Sequence, residues 1–341
     1  MTTLENQTHA KWSFQFEEYI LLIIDTLHDS QLWIIGSEGT VFLFDSSNAK
    51  ILQRFDTSAD LIFSATLSSV NSHLYIGTSR GVFCLSPTGE TIPIIVENKW
   101  YEHIALNNKN NTLICTQGKN LIVLQLENAT TTEILRDQSF SSTISDVQLV
   151  QDGFLVASFG SVRKYHFGDL HKYEVYPWKT SLIKVNQSPN TKWIVSSTQE
   201  NNLHFWYSPL NSGDDFQISG YEEKVKKFLW SDDSNTFAIS CGEDVQLWDF
   251  SKGPPQGQEP QMLICGYGKI VDICLAEQLL IAASDLGFLF YFIPELAKTP
   301  FAIHSVGDEI THFTLNKQRS ELLVGTKAGL LSCIDLIKLN C

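Results

Sequence analysis

Residues 32–45 read Leu32-Trp-Ile-Ile-Gly-Ser-Glu-Gly-Thr-Val-Phe-Leu-Phe-Asp45, which is an apolar run, a short glycine-containing turn and a second apolar run. Runs of Val, Ile, Leu, Phe and Trp that are broken by Gly, Ser and Asp are typical of β-strands joined by tight turns. The clearest further copies of this pattern span Leu74–Leu85, Phe237–Asp249, Leu280–Phe292 and Leu323–Asp335. Weaker copies span Leu113–Leu126, Leu155–Phe167 and Ile194–Trp206.

The copies recur about every 40 residues, the period expected when each unit forms one four-stranded blade of a β-propeller. The third strands of the units are centred near residues 43, 84, 123, 165, 205, 247, 290 and 333, and we number the sequence units in that order. We therefore predict an all-β fold, a single closed β-propeller of four-stranded blades. Eight blades are counted from the sequence, and seven blades, with one irregular unit, is the alternative.

The two ends of the chain suggest how the ring closes. Trp12-Ser-Phe-Gln-Phe16 alternates apolar with polar residues ahead of the first unit, whereas only Leu336–Cys341 follow the last third strand. A closed ring removes the exposed strand edges that an open array would leave. We therefore expect residues 12–16 to supply the outer strand of the last blade. This divides the chain into a flexible N-terminus, residues 1–11, and one propeller domain, residues 12–341.

Composition and charge limit the possible partners. The 341 residues include 24 Lys and Arg against 38 Asp and Glu, a net charge of −14, which disfavours direct binding of nucleic acid. The seven cysteines have no C-x-x-C spacing, and the N-terminus lacks a secretory signal. No apolar run is long enough to span a bilayer. We therefore expect a cytoplasmic protein without a transmembrane segment, a monomeric propeller by itself.

The chain resembles the WD-repeat family over nearly its whole length. Trp248-Asp249 matches the Trp-Asp ending of that repeat, and Phe44-Asp45 and Ile334-Asp335 are close to it. Gly220-Tyr221 and Gly266-Tyr267 stand where the family usually has Gly-His. The remaining units lack either dipeptide, so the repeats are degenerate. The resemblance implies a propeller that binds other proteins, as a scaffold or as a subunit of a larger complex.

The resemblance also implies which loops make contact. Family members bind partners through the face formed by the loops that precede each innermost strand and by the turns between the second and third strands. On this face, aromatic and basic side chains are the expected interface anchors. The predicted partner-binding residues are Arg80, Trp100, Tyr101, Trp178, Lys179, Tyr221 and Tyr267. The alternative for Trp100, Trp178, Tyr221 and Tyr267 is that they pack between blades in place of the missing Gly-His contacts.

Two other functions stay open at this stage. A propeller enzyme, a metal-assisted hydrolase or lactonase, would gather charged residues at the channel mouth, and a small-ligand sensor would use the same channel. Charged residues at the starts of the innermost strands are Asp60, Asp146, Lys184, Asp272 and Asp308. No nucleotide-binding loop or nucleophile-turn motif is present, and the histidines are not spaced as metal ligands. We therefore predict a non-enzyme with no catalytic residues, no bound metal and no cofactor.

Overall fold

The computed structural model describes residues 10–26, 30–57, 61–127, 130–210, 215–255, 257–276, 278–316 and 320–337. The regular elements in these ranges are β-strands, so the all-β prediction is confirmed. Among the same residues, no helix has the length and apolarity needed to cross a lipid bilayer.

Six of the sheets contain four antiparallel strands each. The first unit comprises β2 (Ile20–Asp25), β3 (Gln31–Gly36), β4 (Thr40–Asp45) and β5 (Lys50–Asp56). The second comprises β6 (Ile62–Leu67), β7 (Leu74–Thr78), β8 (Gly81–Leu85) and β9 (Thr91–Val96), and the third β10 (Ile104–Asn107), β11 (Thr112–Gln117), β12 (Asn120–Leu126) and β13 (Thr131–Asp137). The sixth comprises β20 (Phe228–Trp230), β21 (Thr236–Cys241), β22 (Asp244–Asp249) and β23 (Gln261–Ile264), and the seventh β24 (Ile270–Ala276), β25 (Leu279–Ser284), β26 (Phe288–Phe292) and β27 (Ala302–Ser305).

The last four-stranded sheet joins the two ends of the chain. It comprises β28 (Ile310–Asn316), β29 (Glu321–Thr326), β30 (Leu330–Asp335) and, as the outer strand, β1 (Ala10–Gln15). β1 pairs antiparallel with β30, so the predicted closure is confirmed. β1 begins at Ala10, so residues 10 and 11, which precede the predicted start of the propeller domain at residue 12, belong to this strand. Residues 1–9 of the predicted flexible N-terminus lie outside the described residues.

The fourth and fifth units form one continuous sheet of six strands. These are β14 (Asp146–Val150), β15 (Gly153–His166), β16 (Asp169–Gln187), β17 (Trp193–Thr198), β18 (Leu203–Tyr207) and β19 (Asp215–Ile218). The first part of β15 pairs with β14 and its later part with β16. β16 then continues and pairs with β17. Each of these two long strands therefore occupies positions that separate strands occupy in the other units.

The described ranges thus contain seven sheets around the ring, the number predicted as the alternative. The count of eight separate blades is corrected because β16 passes from the fourth unit to the fifth without a break. The eight predicted third-strand centres nevertheless all fall within strands.

The core lies between neighbouring sheets. One cluster joins Trp33 and Val41 of the first unit to Leu74 and Ile76 of the second. The Trp33 indole nitrogen also donates a hydrogen bond of 2.9 Å to the Ser72 carbonyl of the second unit. Side chains from neighbouring sheets pack closely against one another and fix the sheets in place. The loops are therefore presented on a rigid frame.

Candidate functional site

The predicted contact residues can be placed on one face, which we call the loop face. It is formed by the loops that precede the innermost strands and by the turns between second and third strands. Backbone hydrogen bonds join the two sets: the Ser79 amide donates to the Leu61 carbonyl at 3.1 Å, and the Lys327 amide to the Glu309 carbonyl at 2.9 Å. The same bond between a turn and an incoming loop therefore recurs in different units around the ring.

The loop face carries an apolar patch in the second and third units, which we call the Trp100 patch: Leu61, Phe63, Val96 and Trp100. The Trp100 side chain is 56% exposed, and its ring centre lies 5.2 Å from that of Phe63. Leu61 immediately precedes β6, and Val96 ends β9, and both side chains are exposed. Three exposed apolar side chains and the half-buried Phe63 therefore lie on this part of the loop face.

Arg80 lies beside this patch. The amide of Glu97 donates to the Arg80 carbonyl at 3.2 Å, so the loop that carries Trp100 runs along the turn between β7 and β8. The Arg80 side chain is exposed. Arg80 and Trp100 are thus both exposed on the loop face, and their role in partner contact stays a prediction.

Tyr101 does not face solvent, which corrects its assignment as a contact residue. Its amide donates to the Thr78 carbonyl at 3.0 Å, and this bond turns the side chain inward. The ring is fully buried, and its hydroxyl accepts a hydrogen bond of 3.3 Å from the Gln117 side chain. Burial raises the pKa of Tyr101 to about 12. Tyr101 is therefore a core residue between the second and third units.

Trp178 is half-buried and covers a histidine. Its ring stacks on His204 with the centroids 3.7 Å apart, and Lys179 places its ammonium 5.3 Å from the indole centre. Burial lowers the pKa of His204 to about 4. Trp178 thus packs against the fifth unit, which is the alternative predicted for it from the sequence. Lys179 is exposed.

The two tyrosines of the Gly-Tyr dipeptides differ. Tyr221 is buried among Phe237, Trp230 and their neighbours, so its assignment as a contact residue is corrected to a plug between the fifth and sixth units. Tyr267 is 40% exposed and rests on Phe288 at a centroid distance of 5.0 Å. Only Tyr267 therefore keeps a surface available to a partner.

The innermost strands bring together a second set of residues, which we call the channel ring. Each sequence unit contributes one residue, which lies in the innermost strand or, for His103 and Lys227, immediately before it. Each of these residues stands opposite the equivalent position of the second strand. The ring consists of Leu22, Ser64, His103, Asp146, Lys184, Lys227, Asp272 and His312.

The charged members of the channel ring pair between neighbouring units. Lys184 donates to Asp146 at 3.1 Å, and Asp146 also accepts from the Val185 amide at 3.0 Å. Lys227 lies 3.1 Å from Asp272. These pairs link the fourth unit to the fifth and the sixth to the seventh near the axis of the ring.

Sequence reasoning identified part of this ring. Asp146, Lys184 and Asp272 were predicted at the channel, and all belong to it. Asp308 does not, because its carboxylate accepts from the Ala328 amide at 2.6 Å in the loop face. Asp60 lies outside the described residues. His103, Lys227 and His312 are added by the structure, and aligning the units by their second strands would have found them.

His312 gives the channel ring a pH-dependent member. Its Nδ1 accepts a hydrogen bond of 3.3 Å from the Ile23 amide, so the neutral imidazole is the bonded form. Burial lowers the pKa of His312 from 6.5 to about 4, against the opposing effect of Asp272; Lys227 lowers it further. Because the unfolded chain takes up this proton first as the pH falls, the contribution of His312 to stability is complete above pH 6.5 and is lost between pH 6.5 and about 4.

We therefore expect this histidine to lower the free energy of unfolding by about 2 kcal/mol between about pH 7 and about pH 5. His312→Asn keeps an acceptor near the Ile23 amide but does not titrate. Urea unfolding of both proteins across this range checks the prediction. The stability difference between them should change with pH, and a constant difference would contradict it.

Among the described residues, no group of three or more His, Cys, Asp or Glu side chains is arranged to hold a metal ion. The described cysteines are not joined in disulfide bonds, and Cys341 lies outside the described residues.

The fold defines the class of the protein as a β-propeller, and the comparisons agree. The chain is similar to Sqt1 of Saccharomyces cerevisiae, a WD-repeat protein, with a TM-score of 0.78 and 11% identity over 96% of this chain and 98% of that one. It is also similar to the computationally designed protein Ika8, with a TM-score of 0.74 and 13% identity over 94% of this chain and 97% of that one. No protein-family model and no curated protein matches the chain. At these identities the likeness shows the fold alone.

Proposed function

We propose that this chain is a non-catalytic platform that holds a protein partner on its loop face, as a scaffold or as a subunit of a complex. The observation that carries the proposal is the exposure of Trp100 within an apolar patch beside Arg80. The likeness to a WD-repeat protein is consistent with such a role but gives no partner.

The chemistry of the patch favours a protein partner. Trp and Arg are the residues most enriched among those whose removal weakens protein interfaces, and a central apolar anchor with a polar rim is the usual arrangement. Here Trp100 and Leu61 supply apolar area. Arg80 supplies donors at the edge, and Glu97 and Lys99, paired at 3.1 Å, add a charged rim.

The packing of Trp100 favours a preorganised contact. Its indole lies against Phe63, and the backbone of its loop is bonded to the Arg80 and Thr78 carbonyls. An anchor that is already ordered loses little conformational entropy when a partner binds. The patch is therefore suited to binding without rearrangement of the propeller.

Trp100→Ala tests the proposal. We expect tagged wild-type protein to retain a stoichiometric partner from its native extract and the variant to lose it. With the purified partner, the affinity should fall at least about thirtyfold, corresponding to about 2 kcal/mol for an interface anchor. Quantitative mass spectrometry of the pull-down and a titration give the two measurements.

Leu296→Ala is the matched control. Leu296 is 78% exposed in the loop between β26 and β27, on the opposite face of the ring. This variant should keep the partner, and all three proteins should melt at similar temperatures. A partner that stays bound to Trp100→Ala would refute the assignment of the patch.

A second candidate function is small-ligand sensing in the central channel. The channel ring favours it, because His103 and the exposed amines of Lys184 and Lys227 lie at one level near the axis. A ligand bound there would raise the melting temperature of the wild-type protein but not that of a Lys184→Ala, Lys227→Ala variant. Partner capture that depends on Trp100 favours the platform instead.

A further inference from the structure

A cavity of about 730 Å³ opens on the loop face between the sixth and seventh units, across the ring from the Trp100 patch. Lys224, Lys226, Lys227 and Lys269 line it, together with the start of β24 and the turn after β21. We call it the lysine cavity. Four ammonium groups around one cavity are unexpected in a chain whose net charge is −14.

Two of the four lysines are neutralised locally. Lys227 lies 3.1 Å from the Asp272 carboxylate, and Lys269 pairs with Glu223. Lys224 instead donates to the neutral Gln199 side chain at 2.5 Å. Within the described ranges, Lys226 has no hydrogen bond or ion pair. Lys224 and Lys226 are therefore exposed cations without a carboxylate of their own.

The acidic residues of the cavity wall do not supply the missing counter-charge. Glu223 holds Lys269, and Glu309 holds Lys327 at 2.8 Å. Asp285 accepts the Lys269 amide at 2.8 Å. Glu223 and Glu309 are therefore each paired with another lysine, and the charge of Asp285 acts on Lys269, so none of these carboxylates forms an ion pair with Lys224 or Lys226.

We infer that the lysine cavity binds an acidic segment of a protein partner, with Asp or Glu carboxylates seated against Lys224 and Lys226. This inference rests on the proposed function and adds the chemistry of the partner. A cavity of this volume accommodates several side chains rather than one small anion. Nucleic acid is disfavoured because its affinity comes from many phosphate contacts along a positive surface, and the rest of this chain is acidic.

The experiment uses the full chain and a fluorescein-labelled octaglutamate peptide, followed by fluorescence polarisation in low-salt buffer. The overall negative charge repels such a peptide, so binding reports a local site. We expect saturable binding that weakens as salt is added. Lys224→Glu with Lys226→Glu should weaken it at least about tenfold, because two charge-assisted contacts become repulsive.

The matched control is Lys109→Glu with Lys192→Glu, two exposed lysines in loops of the opposite face. It changes the net charge by the same amount and should alter binding by less than about twofold. Equal loss in both double variants, or no binding by the wild type, would overturn the inference. Tighter binding of an octathymidylate than of octaglutamate would replace it with a nucleic-acid site.

The two proposals fail separately. Trp100→Ala should leave octaglutamate binding unchanged, since Trp100 belongs to the third unit and the lysine cavity to the sixth and seventh. If octaglutamate does not bind, the acidic segment is refuted and the Trp100 patch remains the proposed contact. If the partner stays bound to Trp100→Ala, the Trp100 patch is refuted and the lysine cavity remains the proposed contact.

Discussion

Gly153→Ala is expected to lower the free energy of unfolding by more than about 4 kcal/mol, near the limit of what a domain tolerates. Gly153 begins β15 and lies against the far end of the same long strand, so that a Cβ would lie 1.8 Å from the Tyr165 carbonyl oxygen and 3.1 Å from the His166 Cα. The clashing atoms are backbone, so no side-chain rotation relieves the contact. The two ends of β15 would have to move apart within the six-stranded sheet.

The measurement is urea unfolding followed by tryptophan fluorescence, with soluble yield as a second readout. Gly168→Ala is the control in the same hairpin. A Cβ at Gly168 meets no atom within 4 Å, and its φ is not positive. This variant should be neutral or slightly more stable, because alanine restricts the unfolded chain. Comparable stability of the two variants would show that the strands are not packed as described.

The hairpins were predictable because their pattern is local. The copy at Leu280–Phe292 became β25 and β26, and the copy at Leu32–Asp45 became β3 and β4. Apolar β-formers that flank a short glycine-containing turn leave the chain few alternatives. Ring closure was also predictable, because an alternating segment before the first unit needed a partner edge.

The continuous strand β16 was not predictable from the same pattern. Strand ends are marked in sequence by clusters of Gly, Asn, Asp or Pro, and the stretch Tyr173–Lys184 contains only Pro177 among these residues. Without a break, the outer strand of the fourth unit continues into the innermost strand of the fifth. The spacing of third strands is unaffected, so the period alone could not show that two units share a sheet.

Exposure within a loop was the least predictable property of the site. Trp100 and Tyr101 are adjacent, yet one ring faces solvent and the other is buried. The difference comes from the hydrogen bond between the Tyr101 amide and the Thr78 carbonyl, a contact between elements far apart in sequence. Residue type suggested aromatic anchors at this place, but only the fold decides which neighbour is the anchor.

The channel ring shows a different limit of prediction from the sequence. Its members Asp146 and Lys184 lie 38 residues apart in sequence but 3.1 Å apart in space. The sequence placed both at the channel mouth, while the pairing needed the register of each innermost strand against its second strand. His312 was missed because Asp308 of the same unit was predicted at the channel, whereas the register of β28 against β29 puts His312 there.

Phe16→Ala is expected to lower the free energy of unfolding by about 3 to 5 kcal/mol, the cost of removing a buried phenylalanine ring. Phe16 follows β1 and is buried, with ring centres 4.9 Å from both Phe14 and Phe42. Its amide donates to the Gly329 carbonyl at 2.8 Å. The side chain therefore joins the N-terminal strand to the sheet of the first unit, while its backbone joins the strand to the last unit.

Ser13→Ala is the control on the same strand, because Ser13 is exposed and pairs with Ser332 of β30 without entering the core. It should change stability by less than about 0.5 kcal/mol. Hydrogen exchange distinguishes a latch from an ordinary core residue: in Phe16→Ala, amides of β30 that face β1 should exchange faster, while those in the six-stranded sheet keep their relative protection. Uniform acceleration throughout the ring would mean that Phe16 contributes to the core in general and that closure does not depend on β1.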